Sequence, residues 1–356
     1  MKKSTYHIIG LMSGTSLDGL DICYARYSYT TKWSFKIINA ITVPYDHQWM
    51  NILKDLTNKS REEIDAIDIK YTKLLSNLIL DFIASFEITN IDAISSHGHT
   101  VLHKPSKGLT FQIGNLKLLS ELTNHTCVCD FRQQDISLGG QGAPLVPVGD
   151  NLLFPEFKFC INLGGFCNIS FTKSNDLLAF DICPFNIGLN YYSKKLGFDF
   201  DESGSLSSSG EIIEPLLKRL NSLDYYNLSG PKSLGLEWVL KNVFIDISKY
   251  DYNPHDILRT LVEHSAIQIS EILNKHGNGT VLLSGGGVKN SFFIDRLYFH
   301  SSSEFIIPET LIIDFKEALI FGFLGVLKLR NEINCVMSVT GASRNHSSGK
   351  VYEIFK

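Results

Sequence analysis

The chain lacks any apolar run near the roughly 20 residues needed to span a bilayer. It also lacks a basic tail, and its net charge over 356 residues is only −4. These absences give no reason to expect a membrane or a nucleic acid as partner. Lys2 and Lys3 precede a short apolar segment that meets polar residues by Ser13, which is not the pattern of a signal-peptide core. The seven cysteines are odd in number and include no metal-like double pair, so a reducing cytoplasmic location is expected. Cys127 and Cys129 fall on one face of a short strand, where a structural role outweighs zinc. Two common nucleotide signatures are missing as well. There is no G-x-x-x-x-G-K-[ST] loop, and Gly285-Gly286-Gly287-Val288-Lys289 lacks the third glycine of a dinucleotide fingerprint.

What is present is a set of glycine-rich turns on a chain long enough for two domains. The first is Ser13-Gly14-Thr15-Ser16-Leu17-Asp18-Gly19, between apolar runs at His7–Met12 and Leu20–Tyr27. Its two glycines permit positive φ, its hydroxyls can meet an anion, and Asp18 can hold a metal ion or its water. An ordinary Gly/Ser hairpin explains the same residues. Asn162-Leu163-Gly164-Gly165-Phe166-Cys167-Asn168 is the second turn, again between two strands. The third, Ser284-Gly285-Gly286-Gly287, follows an apolar strand and precedes a helix from about Asn290, whose free N–H groups favour an anion.

Around these turns the spacing predicts strands at Phe35–Thr42, Ile91–Ser96, Phe111–Ile113 and Thr126–Cys129, with helices over about 46–58 and 61–86. Ser60 and Glu63 form a capping box for the latter. His97-Gly98-His99-Thr100 reads as a loop at a strand end. After the turn-rich Leu138–Pro144 the pattern restarts. Strands are expected at 157–163, 168–172 and 177–180, and helices at about 185–196, 210–221, 233–247, 254–275 and 315–330. Strands followed by helices, twice over, predict two α/β domains, 1–130 and 131–356, with a cleft between them. The extreme C-terminus is a candidate to rejoin the first.

Two phosphate-facing hairpins and a late glycine turn resemble the actin-like ATPase and sugar kinase superfamily. That resemblance implies two actin-like, ribonuclease H-like domains with an interdomain active-site cleft. It narrows with Gly10–Asp21, Ser96–Thr100, Asp130–Asp135, Gly139–Pro147, Asn162–Ser170, Pro231–Glu237, Ser284–Gly287, Glu317-Ala318 and Ser338–Ala342. In this order they resemble the anhydro-N-acetylmuramic acid kinase family across about residues 8–342. The resemblance implies an ATP- and Mg²⁺-dependent enzyme, able to form dimers. Such enzymes open the 1,6-anhydro ring of their sugar with water and phosphorylate the released O6. Water is a poor nucleophile toward an anomeric carbon, so a carboxylate base is required.

Asp181, after the strand residue Phe180, matches the family's catalytic aspartate; by position alone it would be a helix cap. The resemblance puts ATP phosphates at Ser13, Gly14, Thr15, Ser16, Asp18, Gly19, Gly164, Gly165, Asn168, Gly285, Gly286 and Gly287, with Mg²⁺ at Asp18. It puts the sugar at His97, Thr100, Arg132, Asn186 and Glu317. Each has a plainer alternative: loop packing for His97 and Thr100, a salt bridge to Asp135 for Arg132, and a helix-dipole preference for Glu317 at a helix start. The chain departs from the family where Asp181-Ile182-Cys183-Pro184-Phe185-Asn186 replaces Asp-Thr-Gly-Pro-Gly-Asn, and where His99 replaces glutamine. Phe185 is expected to add bulk beside the ligand, which opens the alternative of a different amino or anhydro sugar. A nucleotide-binding actin-like protein without sugar chemistry is the remaining alternative.

Overall fold

The computed structural model describes residues 2–14, 17–230 and 232–354. The chain forms two compact units, one of residues 1–154 with 315–356 and one of residues 155–314. In the first, β1 (Thr5–Ser13), β2 (Gly19–Tyr29) and β3 (Trp33–Pro44) make an antiparallel meander. β4 (Ala93–Lys104) pairs parallel with β1, β5 (Leu109–Ile113) folds back on β4, and β6 (Cys127–Cys129) runs parallel to β4.

The second unit repeats the plan. β7 (Phe159–Leu163), β8 (Phe166–Lys173) and β9 (Asp176–Pro184) form a meander, and β10 (Thr280–Ser284) and β11 (Glu304–Ile306) add parallel strands beside β7. The first sheet runs β3-β2-β1-β4-β6, with β5 paired to β4 off this path and β12 (Lys350–Tyr352) added antiparallel to β6, and the second runs β9-β8-β7-β10-β11 in the same sense. This is the ribonuclease H-like arrangement the sequence pattern pointed to.

Each face of the first sheet is covered by a helix whose sequence dictates the contact. Helix Arg61–Ser85 starts at the expected capping box, with Ser60 Oγ accepting from the Glu63 amide and Glu63 accepting from the Ser60 amide. Its Ile64, Tyr71, Leu75, Ile79 and Phe82 recur at helical spacing and pack on Ile9, Leu11, Ile22 and Ile94. Burying each such side chain contributes about 1.5–3 kcal/mol. On the opposite face, helix Thr310–Leu329 lies so close to β1 that a Cβ on Gly10 would stand 2.1 Å from the Ala318 carbonyl oxygen. Tyr27 and Ser95 donate their hydroxyls to the Leu319 and Phe321 carbonyls of this helix.

Two expectations are corrected by this architecture. The boundary falls after residue 154 rather than 130, because the segment after Asp130 stays bound to the first unit. There Asp135 accepts from Thr340, and Lys316 pairs with Asp150 at 3.0 Å inside the core. The turn-rich stretch at 138–144 therefore lies within a unit, and its glycines serve local turns. His97–Thr100, expected as a loop, lies inside β4, which continues to Lys104 as one arm of the hairpin with β5.

Candidate active site

Within β4, Gly98 adopts φ +74°, a conformation suited to glycine, and a Cβ there would also meet the Ile113 carbonyl oxygen at 2.6 Å. In a regular strand residues 97 and 99 would share a face. The left-handed residue breaks that period, and the register with β1 shifts at the same place. His97 therefore packs on Phe321 of helix Thr310–Leu329, with ring centroids 4.6 Å apart, whereas His99 turns to Tyr71 on the other face.

His97 Nδ1 lies 2.8 Å from the Gly98 carbonyl oxygen, which only accepts, so Nδ1 carries the proton and Nε2 is the acceptor. Arg132 fills that acceptor, with Nη2 at 2.7 Å and Nε at 3.2 Å, and its Nη1 donates to the Gly142 carbonyl at 2.6 Å. Burial, helped by the Arg132 charge, pushes the His97 pKa well below the usual histidine range and keeps the ring neutral. The expected alternative of an Arg132–Asp135 salt bridge is not formed: the Asp135 carboxylate accepts from Gly142, Thr340 and Cys335. The guanidinium fork is held by His97 and Gly142, so Arg132 fixes the 139–142 loop while keeping two further N–H donors.

Glu317 is corrected in position. It lies well inside Thr310–Leu329, not at a helix start, so the dipole explanation does not apply. It stands one turn before Phe321 on the same helix face, and its charge opposes the effect of burial on Arg132. Burial raises its own carboxyl pKa, while Lys316 and Arg132 lower it. Thr100 is half-buried on β4, opposite Gln112.

The opening turn is only partly as expected, and Thr15 and Ser16 lie outside the described residues. The Ser13 hydroxyl does not face a ligand. It is buried and bonded to Tyr45 Oη at 2.8 Å and His99 Nδ1 at 2.9 Å, with Tyr45 bonded on to Tyr71. Gly14 accepts the Leu17 amide at 3.5 Å. Gly19 is needed for space rather than positive φ, since a Cβ would lie 2.5 Å from the Val43 carbonyl oxygen. Asp18 is exposed.

In the second unit Asp181 lies inside β9 opposite Asn168, not at a strand end. The following helix, Asn186–Lys195, has Phe185 at its cap, which removes the helix-cap alternative. Asp181 instead anchors the incoming Lys232–Leu234 segment. Its Oδ2 accepts the Leu234 amide at 2.8 Å, its amide donates to the Lys232 carbonyl, and its carbonyl accepts Tyr225 Oη at 2.6 Å. Burial raises the Asp181 pKa, and the Leu234 amide partly opposes the rise. Lys232, given no role by the sequence, donates to the Tyr225 carbonyl and lies 4.3 Å over its ring. The Pro-Lys-Ser-Leu-Gly run at 231–235 was the signal for this partner segment.

The glycine turns divide by cause. Gly165 and Gly286 have no atom within 4 Å of a built Cβ, so bare backbone stands beside open space. A phosphate can approach such backbone closely. Gly164 and Gly165 also accept the amides of Asn186, Phe185 and Ile187, closing the start of that helix. Asn186 further donates its side-chain amide to the Leu163 carbonyl at 3.2 Å. Gly285, at φ +84°, and Gly287 are fixed by packing: their Cβ atoms would lie 2.3 Å from Asn162 Oδ1 and Phe185 Cε1. Two of the three consecutive glycines thus need no ligand. The helix Ser291–His300 is capped by Asn290, whose side chain accepts the Phe293 amide, so its start is less open to an anion than expected. Phe185 is corrected too. Its ring is 1% exposed and packs 4.5 Å from the Phe293 ring, inside the core.

Two α/β units of ribonuclease H-like strand order, with backbone turns and a half-buried carboxylate, define a protein of the actin-like ATPase and sugar kinase class. The model of the family "Anhydro-N-acetylmuramic acid kinase" matches residues 6–354, and the chain belongs to that family. An anhydro-N-acetylmuramic acid kinase of Aliivibrio fischeri is 34% identical over 367 residues, covering 97% of this chain and 98% of that protein. One from a Sulfurovum species is 33% identical, covering 99% and 100%. Among solved structures, component A of the Acidaminococcus fermentans (R)-2-hydroxyglutaryl-CoA dehydratase is similar at TM-score 0.45 and 10% identity, over 88% of this chain and 95% of that one. That likeness is too distant to bear on function.

Proposed function

We propose that the protein uses ATP to convert 1,6-anhydro-N-acetylmuramic acid to N-acetylmuramic acid 6-phosphate, in the recycling of cell-wall sugar. The supporting observation is Asp181, a carboxylate held by one oxygen and raised in pKa by burial in a chain that matches the family over residues 6–354. Leu234 fixes Oδ2, and Oδ1 takes the proton of a water as that water attacks the anomeric carbon. The C1–O6 bond breaks, O6 bonds to the γ-phosphorus, and ADP leaves. The phosphoryl group captures the departing oxygen, so no separate acid is needed for it.

The bare backbone at Gly165 and Gly286 fits ATP phosphates, and Asn168, in β8 opposite Asp181, is assigned to the same ligand. Asp18 is the residue to hold Mg²⁺, which would supply charge neutralisation during phosphoryl transfer. Arg132, with its two remaining donors, Glu317 and Thr100 are assigned to the sugar, and His97 orients Arg132. All seven cysteines are buried, and we assign the protein to a reducing cytoplasm. No helix among the described residues is long and apolar enough to cross a membrane.

The test is Asp181→Asn. It is expected to lower kcat about 10²–10⁴-fold, or roughly 3–5 kcal/mol of barrier, with ATP affinity nearly unchanged. Retention of more than about a tenth of the rate would exclude Asp181 as the base.

A further inference from the structure

A second cluster of ligating side chains lies in the first unit, apart from the residues assigned to catalysis. Cys335 and His346 face each other across an antiparallel bridge, each amide donating to the other's carbonyl at 3.1 Å. Asp135 meets them from helix Gln133–Ser137, and one ligand atom from each residue lies within 4.8 Å of the others. All three residues are buried, Asp135 completely.

Hydrogen bonds explain most of this cluster but not all of it. Asp135 Oδ2 accepts the Gly142 amide at 2.7 Å, and Oδ1 accepts Thr340 Oγ1 at 2.7 Å and the Cys335 thiol at 3.0 Å. His346 Nδ1 lies 3.1 Å from the Arg344 carbonyl oxygen, which only accepts, so Nδ1 carries a proton. Nε2 is buried and without a hydrogen-bond partner, 3.6 Å from Asp135 Oδ1. A ring nitrogen left without a partner beside a carboxylate in a dry interior is costly, and a cation bound between them would satisfy both. An imidazole whose Nδ1–H is tied to a backbone carbonyl is also the tautomer that metal-binding histidines use.

We propose that Asp135, Cys335 and His346 bind one zinc-like divalent ion, with Thr340 Oγ1 or a water as fourth ligand. One thiolate, one carboxylate and one imidazole match zinc's preference for mixed N, O and S donors. With the thiol deprotonated, the ligand charge of −2 is cancelled by the ion, leaving a neutral centre suited to burial. Binding exchanges the Cys335 S–H bond for an S–metal bond and releases that proton to solvent. The Gly142 amide and the Arg344 carbonyl form the outer shell that holds the ligands. The ion would tie the segment at 335–346 to the loop that Arg132 also grips, as a structural clamp independent of the kinase reaction.

The full chain, expressed with added zinc, should contain about one ion per chain by elemental mass spectrometry. Refolded with cobalt(II) instead, it should show a thiolate-to-cobalt charge-transfer band that Cys335→Ser removes and His346→Gln weakens. A strong chelator should lower the thermal midpoint of the wild-type protein. The wild-type measurements stand whether or not the variants fold. No stoichiometric zinc and no cobalt band would overturn the proposal, leaving His346 protonated in an ion pair with Asp135. A band that survives in a folded Cys335→Ser protein would place the thiolate elsewhere and also overturn it.

Discussion

We assign the general-base role to Asp181, and its environment would set the pH at which it can work. A base must be deprotonated, and burial raises the pH at which this carboxyl loses its proton. The acid limb of the kcat/KM profile is therefore expected above the ordinary aspartate value of about 3.9. Activity should fall as pH drops through that limb, and a limb at or below the ordinary value would speak against Asp181. Phe185 gives a contrasting prediction. Because its ring is in the core beside Phe293, Phe185→Gly should cost about 3–5 kcal/mol of stability through the cavity it leaves. Sugar preference should stay the same, and a changed preference on a panel of anhydro and amino sugars would return Phe185 to the ligand. The sequence showed the missing glycine here but not the direction of the ring. That direction depends on Gly287 and Phe293, which lie more than 100 residues further along the chain.

At the level of elements, hydrophobic periodicity and caps were legible because they are local. The Ser60–Glu63 capping box lies where the spacing put it, and Ser60→Ala should cost about 1 kcal/mol, read as a fall in thermal midpoint. Strand ends were less legible. β4 runs through His97–Thr100 and β9 through Asp181, since pairing with β5 and β8 supplies order that local polarity does not reveal. Gly98 is the consequential case. Gly98→Ala should strain the backbone and clash with Ile113, turning His97 away from Arg132. The predicted outcome is a raised KM for the sugar with ATP affinity little changed, measured by initial rates. Equal loss of both affinities would instead indicate general misfolding. Glu317 was misread as a helix start because the polar residues ahead of it obscured the earlier turn of Thr310–Leu329.

Over the whole molecule, the repeated sheet order was visible in the sequence as two successions of strand, glycine turn and strand. The boundary was not, because the segment after Asp130 is held in the first unit by contacts distant in sequence, such as Asp135 with Thr340. Buried histidines give the fold a common pH dependence. Burial lowers the pKa of His99 to about 4 and of His264 to about 3, and that of His97 well below its usual value. Their contribution is complete above about pH 6.5, where folded and unfolded rings are both neutral. Below that pH the unfolded chain takes up protons that the native state refuses, so stability falls as pH drops toward the folded values. The thermal midpoint should decline from about pH 6.5 toward pH 4, and His99→Gln should make that decline less steep. A midpoint flat across this window would contradict the buried neutral rings.

The central claim is that this chain couples ring opening to phosphoryl transfer on one sugar. Its most direct test is mass-spectrometric product analysis of the purified protein with ATP, Mg²⁺ and 1,6-anhydro-N-acetylmuramic acid. The account predicts equal amounts of ADP and N-acetylmuramic acid 6-phosphate, with the mass of one added water, and almost none with Asp181→Asn. ATP bound without any phosphorylated sugar, or ATP hydrolysed with the anhydro ring intact, would contradict it.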